Sequence, residues 1–115
     1  TDLKTAVSAE PEAIEKAIER FGYHVQAAHY LSGARALGVG GEATAFVLVV
    51  VEKTPPHIVT VAQVSPNALR IGDILRRDAL DLYAKCRANN EWPAYTDEIE
   101  LIGLPFWVER QYDPR

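Results

Sequence analysis

A mixed α/β fold is what this sequence predicts, and three observations predict it. Phe46 to Lys53 is an almost continuous β-branched run, the mark of a strand buried on both faces. Pro55-Pro56 divides it from Ile58–Val64, whose clearer alternation predicts a second strand and an antiparallel hairpin, since neither proline can donate to a ladder. On both sides of this pair, apolar residues recur at helical spacing.

The elements follow in order. Thr1-Asp2-Leu3-Lys4-Thr5 alternates as the end of a strand does. Glu10 to Arg20 reads as a helix, with Pro11 in the first turn and acidic Glu10 and Glu12 at the positive end of the dipole. Ala13, Ile14, Ala17, Ile18 and Phe21 form its apolar side, and Gly22 ends it in the left-handed conformation. A second helix is expected from Tyr23 to about Leu37, closed by Gly38, Gly40 and Gly41. After the hairpin, Ser65 is an N-cap and Pro66 a first helical residue. That third helix should run to about Ala88, with Ala68, Ile71, Leu75, Ala79, Leu82 and Cys86 as its apolar stripe. Asn89-Asn90 and Trp92-Pro93 close it, and a short strand followed by an apolar segment is expected through Ile99, Leu101, Leu104, Phe106 and Trp107.

The bulk composition narrows the function. With 115 residues, 48% of them hydrophobic, the chain suits one modest core and a single domain over 1–115. The run from Ala45 to Val51 is too short to cross a bilayer, and no basic stretch followed by an apolar one opens the chain, so a cytoplasmic location is expected. Cys86 is the only cysteine, which excludes an intramolecular disulfide and a cysteine-based zinc cluster. A net charge of −4 argues against a surface built for sequence-blind phosphate binding. Arg70, Arg76, Arg77, Lys85 and Arg87 gather in one segment, as a solvated helix face also would.

Two constellations carry chemistry. In Asp2-Leu3-Lys4 the outer residues are two apart, so on a strand they share a face. Hydrolysis of a phosphodiester uses that pairing: the carboxylate holds a divalent cation, and the ammonium orients water and offsets phosphate charge. The plain alternative is a surface ion pair. On the second helix Gln26 and Tyr30 are four apart, with Tyr23 three before Gln26, so amide and phenol share a face. They can donate to phosphate, or simply be a surface glutamine beside a half-buried tyrosine.

Taken together, these features resemble the RecB-type branch of PD-(D/E)xK nucleases, which includes lambda exonuclease and exonuclease VIII. Asp-Leu-Lys-Thr at 2–5, the run Phe21 to Tyr30, Val51-Glu52-Lys53-Thr54-Pro55-Pro56 and Glu91-Trp92-Pro93 look like the RecE-like, often phage-derived family, with Leu104-Pro105-Phe106-Trp107 near its usual end. The resemblance implies a partial restriction-endonuclease-like α/β core, the C-terminal portion of an exonuclease domain. It implies Mg²⁺-dependent degradation of linear double-stranded DNA for recombination, with Mn²⁺ as the substitute ion. Asp2 would be a metal-ligating carboxylate, Leu3 would offer its carbonyl, Lys4 would be the catalytic lysine, and Gln26 and Tyr30 would support the scissile phosphate. Duplex ends, a single-strand annealing protein and further copies in a ring would be the partners. In this family another aspartate lies on the preceding strand and a glutamate or histidine lies upstream of that. Both positions would precede Thr1, so an N-terminal half or companion chain is expected to supply them, and the 115 residues alone are expected to be inactive. The alternative is a non-catalytic interaction or scaffold module on the same fold.

Other candidates are weaker. His24 and His29, five apart on a helix, are poorly aligned for one metal, and His57 belongs to a turn. Gly38-x-Gly40-Gly41 follows a helix and precedes a strand, the wrong order for a dinucleotide fingerprint. Glu52 is read as structural, and Cys86 as core.

Overall fold

Asp2–Ala6 forms strand β1, and the chain then turns into two successive helices, α1 (Pro11–Phe21) and α2 (Tyr23–Ala36). Strands β2 (Val47–Glu52) and β3 (Val59–Gln63) follow, then the long helix α3 (Pro66–Asn89) and a short α4 (Phe106–Tyr112). This computed structural model describes residues 1–113. They divide into two units, Thr1–Ala84 and Lys85 onward.

In the first unit the sheet order is β1-β2-β3. β1 and β2 are parallel, with Asp2 beside Leu48 and Lys4 beside Val50. A parallel neighbour requires a crossover, and α1 with α2 supplies it. β2 and β3 are antiparallel, Val49 beside Val61, as the double proline between them predicts. Gly22, at φ 69°, ends α1 in the left-handed conformation and donates its N–H to the Ile18 carbonyl. Ser65 Oγ accepts the Ala68 N–H at 3.1 Å, capping α3.

The core comprises Ile14, Ala27, Leu31, Phe46, Leu48, Val50 and Val64, with Ala68 and Leu69 of α3 packed against it. Helices α1, α2 and α3 therefore all contribute to one side of the sheet. Gly72 is where α3 meets α2: a Cβ there would collide with the His24 carbonyl.

Three expectations need correction. β2 is not buried on both faces: Leu48 and Val50 are buried, but Val47, Val49 and Val51 are only partly covered. Their face also carries Leu3 and Val61, each about two-thirds exposed, because the helices pack on the opposite side. The stripe on α3 is buried at Cys86, whereas Ile71, Leu75 and Leu82 are exposed; the contact with the core is made by the first turns and by Gly72 instead. No strand forms between Trp92 and Phe106. Ile99 and Leu101 stand fully exposed there, so their alternation finds no neighbouring strand to pair with.

Candidate functional site

The local structure around Asp2 follows from strand periodicity. Asp2 and Lys4 both point to the helix-covered face of β1, as their spacing predicts. Lys4 Nζ lies 2.8 Å from Asp2 Oδ2, with side chains only 20% and 25% exposed. The approach is bent from the direction of a hydrogen bond, so the ammonium meets Asp2 Oδ2 as a charge partner, and no other group among the described residues donates to that buried oxygen. Burying a carboxylate oxygen is costly unless a cation or donor accompanies it, and here the Lys4 ammonium is that cation.

Helix α2 lies over this pair. Lys4 Nζ sits 4.4 Å from the Tyr23 ring centroid, a cation–π contact that holds the ammonium close to the first turn of α2. Two turns further along the helix, the Tyr30 ring packs on Phe46, centroids 6.1 Å apart. Phe46 stands two residues before Leu48, the neighbour of Asp2. The helix therefore descends along the strands from the level of Lys4 to a level beyond Asp2. Gln26 lies one turn after Tyr23 and one before Tyr30, which puts its turn near the level of Asp2. Its Oε1 is buried without a hydrogen-bond partner, as is His24 Nδ1 on the same helix. Tyr30, by contrast, is 55% exposed. Sequence spacing alone ranks Gln26 and Tyr30 ahead of Tyr23; the fold gives Tyr23 the contact with Lys4.

Backbone geometry adds Leu3. The Lys53 N–H donates to the Ala6 carbonyl at 3.0 Å, so Ala6, Lys4 and Asp2 direct their backbone groups towards β2. Alternation turns the Leu3 carbonyl the other way, to the outer edge of the sheet. A hard cation seeks such oxygens. The Asp2 carboxylate and the outward Leu3 carbonyl are oxygens of the type such a cation takes. Among the described residues, no three His, Cys, Asp or Glu side chains cluster to hold a metal.

Other residues have structural duties. Glu52 Oε2 accepts the Ala9 N–H at 3.0 Å, tying β2 to the lead-in of α1, and Thr60 Oγ1 donates to the Ala9 carbonyl. His57 Nδ1 lies 3.0 Å from the Glu52 carbonyl and, facing an acceptor, carries the proton. His29 is exposed and tilts against the Tyr30 ring. The cationic segment of α3 is partly neutralised from within: Asp73 accepts from Arg76 at 2.8 Å and pairs with Arg77 at 3.0 Å. The Arg76 hydrogen bond, aided by Arg77 and Arg35, holds the Asp73 carboxyl below the usual carboxylate range. No helix among the described residues is long and apolar enough to cross a membrane.

Comparison with known proteins follows from this geometry. Residues 1–105 match the family described as a PDDEXK-like domain of unknown function (DUF3799). No curated protein matches the chain.

Proposed function

Because the chain belongs to the PDDEXK-like DUF3799 family, we propose that it is part of a Mg²⁺-dependent exodeoxyribonuclease that degrades linear double-stranded DNA for recombination. One observation carries the proposal: a carboxylate and a lysine two apart on a sheet strand, paired at 2.8 Å, with the carboxylate oxygen buried and given no hydrogen bond by any other group among the described residues. A nuclease-type fold is what family membership supplies; the reaction is argued from these residues.

In this reading Asp2 and the Leu3 carbonyl hold the cation. When bound, Mg²⁺ supplies Lewis-acid stabilisation of the phosphate and a more acidic water. Lys4 is kept in register by the Tyr23 ring and places its positive charge beside the scissile phosphate, where negative charge grows during attack on phosphorus. Gln26 and Tyr30 orient the phosphate from α2. An upstream segment or companion chain contributes the remaining carboxylates, and the complete protein forms a homo-oligomeric ring around DNA.

The test is substitution in the full-length protein. Asp2→Ala and Lys4→Ala should each abolish Mg²⁺-dependent digestion of linear duplex DNA while the circular dichroism spectrum stays unchanged. Gln26→Ala and Tyr30→Phe should slow digestion less severely, because they position rather than perform the chemistry. Digestion at the wild-type rate by Asp2→Ala or Lys4→Ala would leave the chain as a scaffold module on a nuclease fold.

A further inference from the structure

Beside the Asp2–Lys4 pair runs a groove of roughly 420 Å³ between β1 and α1. Its charge is one-sided. Lys4, Lys16, Arg20 and Lys53 line it, and no aspartate or glutamate does. This occurs in a chain whose net charge is −4, so the groove runs against the protein's overall balance. The cause lies in α1. Ala13, Lys16, Ala17 and Arg20 fall at i, i+3, i+4 and i+7 and form one face. Glu12, Glu15 and Glu19 fall on a neighbouring strip, outside the groove. Lys16, Arg20 and Lys53 are exposed.

The groove also has an aromatic wall. Phe21 and Tyr23 both line it, and their rings stack with centroids 5.7 Å apart and planes at 30°. Phe21 is 62% exposed although it ends the apolar side of α1. Arg20 flanks the same ring at 5.5 Å. Phe21 thus offers an exposed aromatic face beside the Arg20 cation. Cations tracking a backbone, with an aromatic platform beside them, are what a single nucleic-acid strand requires: phosphates meet the charges and a base stacks on the ring.

We infer that the groove between β1 and α1 binds a single strand of DNA, with Lys16, Arg20 and Lys53 on its phosphates and Phe21 stacking a base next to the Asp2–Lys4 site. The inference deepens the exonuclease reading and rests on it for the choice of DNA. Charge complementarity and the aromatic wall favour a nucleic-acid strand over an acidic polypeptide, which offers carboxylates but no bases to stack.

The experiment is a fluorescence-anisotropy titration of a short 5′-labelled oligothymidylate with the full-length protein in EDTA, repeated over a range of salt. The Lys16→Ala/Arg20→Ala variant should weaken binding and flatten the log–log salt dependence by about 0.7 per charge removed. Phe21→Ala should weaken binding about tenfold with the salt slope unchanged, as expected for a lost stacking platform. Both sites are exposed and on a helix where alanine is favourable, and circular dichroism checks the fold. Wild-type binding by both variants overturns the inference, as does absence of binding by the wild-type protein. Displacement by polyglutamate as effective as by unlabelled oligothymidylate, together with a silent Phe21→Ala, also overturns it and makes the groove a docking site for an acidic protein. Asp2→Ala separates the two readings: hydrolysis should vanish while groove binding remains. A wild-type protein that binds through the groove and hydrolyses nothing would sink the catalytic reading and leave this one standing.

Discussion

At the scale of single residues, chemistry depends on which polar groups the fold leaves unsatisfied. Glu52, Thr60 and Ser65 each have a backbone partner, and each fastens one element to the next. Gln26 Oε1 is buried without a hydrogen bond, and Asp2 Oδ2 is buried with the Lys4 ammonium as its charge partner, so these are the polar groups the fold leaves least satisfied. Asp73 shows the opposite case. Its carboxyl is held below the usual range by the Arg76 hydrogen bond first, then by nearby arginines. A depressed folded-state value means the pairing stabilises the protein above the unfolded carboxylate value and is lost as pH falls through the folded one. The advantage of wild type over Asp73→Asn, read as the difference in urea midpoint, should therefore be present at neutral pH and vanish in acid. The difference should be small, because the pair is partly exposed and screened by solvent. An advantage that grows on acidification would show that Asp73 acts in some other way.

At the scale of elements, the position of α2 decides the site, and α3 fixes α2. The crossing depends on Gly72, where an added Cβ would meet the His24 carbonyl and the Val25 N–H. In an exposed helix, Gly→Ala would stabilise by about 1 kcal/mol through propensity. Here the collision is with backbone, which cannot rotate away, so Gly72→Ala should destabilise by about 1–3 kcal/mol. Chemical denaturation reads this directly, and a stabilised Gly72→Ala would mean that the two helices are not in contact there. Because Tyr23 and Gln26 flank His24 on the same helix, the shift should also disturb the Lys4–Tyr23 contact and slow any hydrolysis that depends on it.

At the scale of the whole molecule, apolar surface is unevenly covered. One face of the sheet is roofed by helices, while Leu3, Val59 and Val61 on the other remain exposed. The outer edge of β1 presents the backbone groups of Leu3 and Thr5, a template for another strand. In the unit from Lys85 onward, Tyr95, Ile99 and Leu101 are fully exposed. Apolar surface on this scale favours association, in keeping with the proposed ring. Multi-angle light scattering of the full-length protein at micromolar concentration should report a closed oligomer, with or without DNA. A monomer under both conditions would count against the ring.

What the sequence determined by itself is local. Pro11, Gly22, the Pro55-Pro56 turn and the Ser65-Pro66 cap mark the element boundaries because each acts through the backbone of its immediate neighbours. The sharing of a face by Asp2 and Lys4 is equally local, since it needs only the two-residue period of a strand. Whatever depends on which surfaces meet was decided by tertiary structure. A β-branched run such as Val47–Val51 looks alike whether one face or two are covered, and here the helices cover one. The stripe on α3 and the alternation at Ile99 and Leu101 predict burial, but periodicity names no partner, and among the described residues none covers Ile99 or Leu101. Tyr23 comes to Lys4, and Lys53 joins the cations of α1, across 19 and 33 or more residues of chain. Such neighbours are set by the parallel register of β1 with β2 and by the crossing at Gly72, and neither leaves a mark on the residues nearby in sequence.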